Sequence, residues 1–365
     1  MGFDLFLGNT KAVTETRGML ASERVPGALL FTGPDGVGKR TLALMLAKAL
    51  NCERRLPGGD DFCGECARCR KADEIIAATI EDLERRRAVK DSARRVEGLV
   101  YFDLQLIEPI TRYILIEQIR QLRSVAYTRP FEFPHRIFVI DQAESVHWQA
   151  IDLLLKVLEE PPHTTTLILI CPNSFELRPT IRSRCRRIKF LPVEQPVIAK
   201  ILAEGRDLSE AQRELGTRVA AGSIAQAKTF DPADYQRRRR PWLEFLEEVS
   251  GKRAASMNPS DWNTLFDSSK ALTENREESD ETLRIGYTLL RDLLQILLSG
   301  ADRNVANVDL LPQLKTWAPK LGLKCIERLK TGLDQAYQLQ IRNVNQQLGL
   351  EALATALLSE TRSSD

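Results

Sequence analysis

The chain has 365 residues, 43% hydrophobic, 28% charged and 6% aromatic, which excludes a low-complexity or disordered protein and suits two or three domains, each with its own core. Its 52 basic and 50 acidic side chains leave a net charge of +2, so no overall field draws it to nucleic acid or an acidic membrane, and any DNA contact has to be local. No stretch reaches the roughly 18 apolar residues of a membrane span, and the beginning of the chain lacks the apolar core of a signal peptide, so a cytoplasmic location without a membrane partner is expected.

In chain order, a β-rich run at Ala28–Thr32 leads through a glycine-rich turn into a helical pattern from about Lys39 to Leu50. Four of the seven cysteines then crowd between Cys52 and Cys69, and a highly charged helical stretch runs from Arg70 to Glu97. In that stretch Ile75, Ile76, Ile80 and Leu83 form a narrow apolar stripe, read as an inserted helix or hairpin that is either a solvated extension or a partner-binding face. Arg136–Asp141, a helix through Leu158 and Thr166–Cys171 continue the alternation of strand and helix that marks a parallel sheet covered by helices. After Lys189–Val193 the β signal fades and a second, helical domain is expected from near Glu194. The arginine run Arg237–Arg240 with Pro241 reads as a linker to a further helical region.

The turn Gly33, Pro34, Asp35, Gly36, Val37, Gly38, Lys39 fits GxxxxGK between a strand and a helix. Glycines let backbone N–H groups close on phosphate, the helix N-terminus favours negative charge, and Lys39 can reach the β and γ phosphates of ATP or ADP. The pattern also asks for Ser or Thr directly after the lysine as a Mg²⁺ ligand. Arg40 stands there, and Thr41, one residue late, is turned by about 100° around the helix, so Mg²⁺ binding in the usual manner is not expected. Asp141 closes an apolar strand, where it can hold a metal's water shell. Gln142 follows, and an amide cannot take a proton from attacking water as a carboxylate would. Glu144 is read as a structural carboxylate at a helix start.

Cys52, Cys63, Cys66 and Cys69 are spaced Cx10CxxCxxC, and four thiolates so placed can close a tetrahedral shell around a structural Zn²⁺. An iron–sulfur cluster and free thiols are the alternatives. Cys171, Cys185 and Cys325 are read as core residues.

The phosphate loop followed by the four-cysteine segment, then Val157–Pro162 with LeuGluGluPro and Thr180–Cys185 with SerArgCys, resembles the bacterial clamp-loader family of AAA+ proteins. Phe6–Asn9, Val25–Lys39, Ile116–Leu122, Leu154–Lys156 and, near the end, positions 343–351 extend the resemblance along nearly the whole chain. It implies a RecA-like α/β AAA+ domain at 1–192, with a zinc module at 52–69 and the charged insert at about 70–100. A small helical lid at 193–234 and an all-α collar for oligomerisation at 235–365 complete the expected architecture. Within SerArgCys, Arg184 matches the arginine finger that reaches into a neighbouring subunit's ATP site; the alternative for a residue in so basic a run is a surface or interface arginine.

Arg40, Gln142 and Ala225 stand where the family's motor subunits, gamma and tau, carry a hydroxyl, a glutamate and an arginine. The pattern therefore resembles the delta-prime branch, which keeps the zinc module and the finger without powering the machine. The resemblance implies partners of the gamma, tau and delta kinds, the sliding clamp, and primed DNA reached through the complex. An active gamma/tau-type ATPase is the first alternative, and a zinc-containing DNA-binding module on a defunct P-loop scaffold the second.

Overall fold

Three runs rich enough in branched and aromatic residues to be buried on both faces form the centre of one five-stranded sheet. The computed structural model describes residues 2–251 apart from 56–57, 92 and 206, residues 279–341 apart from 301–303, and isolated positions between and beyond them. The strands are β1 (Ala28–Thr32), β2 (Leu104–Ile107), β3 (Arg136–Ile140), β4 (Thr165–Cys171) and β5 (Arg186–Lys189), in the order β2-β3-β4-β1-β5. Every pairing is parallel, with Leu30 opposite Leu169 and Arg187, and Ile107 opposite Ile140. This is a parallel sheet with helices, as the alternation of strands and helices implied. All residues of β1 to β4 are buried, whereas β5, at the edge, buries Ile188 and exposes its three basic residues.

The helices of this part are α1 (Thr10–Ala21), α2 (Lys39–Asn51), α3 (Ala67–Ala88), α4 (Ile116–Ala126), α5 (Ile151–Glu159) and α6 (Pro179–Arg182). The charged stretch is a single long helix, α3, which packs against β2. Its buried face is Cys69, Ala72, Ile75, Thr79, Leu83 and Arg86, with Ile76 and Ile80 half-buried at the margin. Arg86 then donates to the carbonyls of Arg95 and Glu97 at 2.9 and 2.8 Å, fastening the return to the sheet.

The chain divides into two compact units, one of 1–197 with 222–225, the other of 198–221 with 226–365. The second holds α8 (Glu210–Val219), α10 (Pro232–Gly251), α11 (Ser279–Ser299) and α12 (Leu311–Ile341), with α7 (Gln195–Gly205) and α9 (Ile224–Thr229) at its borders. The arginine run expected as a linker lies inside α10. Arg237 and Arg238 pair with Asp234 one turn back at 2.6 Å each, and Arg239 is buried against Asn307 and Asp309. Pro241 removes one helix hydrogen bond, but the buried Trp242, Phe245 and Leu246 hold that segment in place. In α12 the helix breaks at Gly322, whose φ of 67° suits glycine. The resemblance at positions 343–351 falls outside the described residues, except for Glu351.

Candidate nucleotide, metal and arginine-finger sites

Both ends of the candidate nucleotide site lie at the carboxyl edge of the sheet: β1 runs into Gly33 and β3 into Asp141. Gly33 (φ 149°) and Gly36 (φ 75°) need the freedom of glycine. A Cβ on Gly33 would stand 2.4 Å from the Phe190 carbonyl, and one on Gly36 would stand 2.0 Å from Ser223 Oγ. Gly38 caps α2 with φ 98°. Lys39 is 6% exposed, and its Nζ donates to the carbonyls of Gly33 and Pro34 (2.7 Å) and to Asp35 Oδ1 (3.3 Å). The lysine is thus held within its own loop. The backbone N–H of Ala225 donates to the Gly36 carbonyl at 3.1 Å, so 222–225 covers the loop with a serine and a methyl group rather than a guanidinium.

Arg40 reaches Glu108 Oε1 with its Nη1, and Arg87 Nη2 takes the other carboxylate oxygen at 2.8 Å. Thr41 is exposed on α2. Asp141 Oδ1 accepts from the N–H of Gln142 at 3.0 Å. Burial raises the Asp141 carboxyl above its ordinary range, and the charge of Glu108 adds to this, against the pull of Arg40 and Lys39. Gln142 is exposed in a left-handed conformation at φ 54°. Glu144 is pushed up to about 7, mainly by burial and then by Glu176, Asp35 and Asp141; its Oε2 is buried without a hydrogen-bond partner among the described residues.

Magnesium does not fit this set of donors in the usual manner: the position after the lysine offers a permanent cation, held against Glu108, in place of a ligating hydroxyl. What remains is a loop with two cationic side chains and two adjacent carboxylates. Glu108 and Ser223 were not visible as site residues in the sequence; the first closes a strand too short to read there, and the second acts through proximity to Gly36.

At the four-cysteine cluster, Cys52 Sγ stands 3.6 Å from Cys63 Sγ and 4.0 Å from Cys66 Sγ. All four sulfur atoms lie within 4.8 Å of one another. A tetrahedron with Zn–S of about 2.3 Å has edges of about 3.8 Å, close to this arrangement. Backbone N–H groups of Cys63, Cys66 and Cys69 donate to the sulfurs of Cys52, Cys63 and Cys66 at 3.4, 3.3 and 3.4 Å. Burial alone would raise the Cys66 thiol, but the N–H groups of Cys69 and Glu53 and the neighbouring thiols bring it down to about 6, whereas burial pushes Cys69 up. A thiolate-stabilising cage of this size fits a zinc ion.

Arg184 follows α6. Its Nη2 donates to Glu159 Oε1 at 2.6 Å, and its Nη1 to the Thr180 carbonyl at 2.9 Å. Its basic neighbours are engaged elsewhere: Arg182 over the Phe175 ring, Arg186 with Glu15, Arg187 with Ser174. No membrane-crossing helix, by length and apolarity, occurs among the described residues.

Residues 8–194, just over half of the chain, match the family model described as DNA polymerase III, delta subunit. The delta-prime subunit of DNA polymerase III from Bacillus subtilis (strain 168) is 26% identical over 343 residues, covering 93% of this chain and 92% of that one. The tau subunit of the same organism is 27% identical over 229 residues, 63% of this chain and 36% of tau. Escherichia coli (strain K12) tau is 30% identical over 226 residues, 60% of this chain and 31% of tau. The chain thus spans about a third of each tau relative and nearly all of the delta-prime one. By the family match and this end-to-end likeness, the chain belongs to the DNA polymerase III delta-subunit family, on its delta-prime branch, and so among the subunits of the bacterial clamp loader.

Proposed function

We propose that this clamp-loader subunit assists ATP-dependent loading of the sliding clamp onto primed DNA by giving Arg184 to the ATP site of a gamma- or tau-type neighbour, while turning over no ATP at its own loop. The observation that carries the second half is Arg40, held against Glu108 where a motor subunit would present a metal-ligating hydroxyl. Gln142 and Ala225 support it, since neither the proton acceptor nor the second cation of a motor site is present. The first half is supported by Arg184 on an exposed turn with side-chain exposure of 34%, within reach of another chain. A fixed guanidinium beside a transferring phosphoryl group stabilises the charge developing there, an effect worth roughly 10³ to 10⁵ in rate. The four-cysteine cluster would hold a structural zinc ion and take no part in the chemistry.

The test is reconstitution with gamma/tau and delta subunits and measurement of DNA-stimulated ATP hydrolysis. Arg184→Ala is expected to silence the one ATP site that it serves. Unchanged ATPase in that complex would remove the finger role. Hydrolysis by this chain alone, lost in Lys39→Ala, would identify it as a motor subunit instead.

A further inference from the structure

Ile107 and Ile140 are register partners, and the N–H of Asp141 donates to the Ile107 carbonyl at 2.9 Å, so Glu108 and Asp141 stand side by side at the sheet's edge. Two neighbouring carboxylates beside a phosphate loop are the usual setting for a divalent cation. Here that charge is already present in the chain. Arg40, from the first turn of α2, contacts Glu108, whose side chain is 6% exposed and is fixed from the other side by Arg87 at 2.8 Å. Gln118 Nε2 donates to the Glu108 carbonyl at 2.9 Å, anchoring the backbone as well. The Arg40 side chain is 37% exposed, and apart from the Glu108 contact its donors have no partner among the described residues. A guanidinium presents a planar fork of N–H groups that suits phosphate oxygens, and it cannot lose its charge near neutral pH.

We propose that the loop binds the polyphosphate of a nucleotide without a divalent ion, Arg40 supplying the positive charge that the metal supplies in a motor subunit. This rests on the reading that the chain does not hydrolyse ATP at its own loop. A guanidinium tethered to Glu108 can neutralise phosphate charge but cannot carry the ordered water shell of a metal, so the nucleotide would be held without turnover.

Calorimetric titration of the full chain with ATP, with excess magnesium and then with EDTA, tests the inference. The two dissociation constants are expected to differ by less than about fivefold, while Arg40→Thr loses more than about tenfold in EDTA and regains affinity with magnesium. Arg40→Lys, which keeps the charge and changes the packing least, is expected to remain indifferent to magnesium. A wild-type affinity tighter by about fivefold or more with magnesium overturns the inference, as does a wild-type chain that takes up no ATP in either buffer. Phosphate release by the wild-type chain in the same samples would sink the non-hydrolysing reading. Magnesium-dependent binding without such release would sink this inference alone.

Discussion

Arg184 Nη2 and Glu159 Oε1 are 2.6 Å apart, which ties the SerArgCys turn to the last residue of the LeuGluGluPro helix. With side-chain exposures of 34% and 48%, the pair is solvent-facing, and such pairs contribute at most about 1 kcal/mol. Glu159 therefore orients the Arg184 guanidinium without locking it, and exchange of this carboxylate for another anion is energetically easy. Arg184→Ala and Glu159→Gln are each expected to change the unfolding free energy of the isolated chain by less than about 1 kcal/mol in denaturant titrations. A larger loss in either would make the pair a folding element rather than an aiming device.

The cysteine cage is expected to bring about one zinc per chain through purification, measured by plasma mass spectrometry, and Cys66→Ser to lose it. Because α3 begins within the cluster, Cys66 being its N-cap, the loss should also loosen the start of that helix. Hydrogen exchange at 52–75 should then rise while β1, β3 and β4 stay protected. Protection at 52–75 that survived complete removal of the metal would show that the segment folds without it.

How much of this could be read in advance depended on burial and on sequence distance. β1, β3 and β4 each carry an unbroken apolar run of four or five residues because both faces are covered, and they stand out for it. β2 is four residues long and contains Gln105, whose Nε2 is satisfied by the Leu106 carbonyl at 3.1 Å, so its composition is not that of a buried strand. β5 carries three exposed basic residues because it is an edge. The glycines, Lys39 and the cysteines announced themselves by spacing. Arg40 with Glu108 and Arg184 with Glu159 did not, since each pair joins elements that only the fold brings together.

Asp103 is the acid on which the β2–β3 region turns. Its Oδ2 accepts from the N–H groups of Phe131, Glu132 and Phe133 at 2.7, 2.6 and 3.1 Å, and its Oδ1 from Arg136 Nη2 at 2.7 Å. Both side chains are nearly inaccessible, at 3% and 4% exposure. Asp103→Ala would strand a buried guanidinium and three N–H donors, and about 3–5 kcal/mol of stability should be lost in urea unfolding. A loss below about 1 kcal/mol would mean that water replaces the carboxylate.

Glu144 gives the pH dependence a defined sign. Its carboxyl is pushed up to about 7 from an ordinary 4.5, chiefly by burial and then by Glu176, Asp35 and Asp141. Between those two values the folded chain holds a proton that the unfolded chain has released, so this group's contribution to stability falls as pH rises from 4.5 to about 7 and is constant outside that window. Glu144→Gln, which cannot ionise, should match the parent below pH 4.5 and melt at a higher temperature than the parent above pH 7. Parallel melting profiles of the two proteins across the whole range would place Glu144 in solvent and remove the burial argument.

Gln142→Glu separates the two features on which the proposed lack of turnover rests, the amide at 142 and the guanidinium at 40. The exposed side chain of Gln142 makes Gln142→Glu structurally mild, and the change adds a carboxylate next in sequence to Asp141 while Arg40 stays against Glu108. A base has nothing to act upon unless the phosphates are neutralised by an ion that can also order the attacking water. The single change should therefore leave phosphate release by the isolated chain at background in the presence of magnesium. Measurable turnover from Gln142→Glu alone would mean that Arg40 does not exclude the metal from this loop.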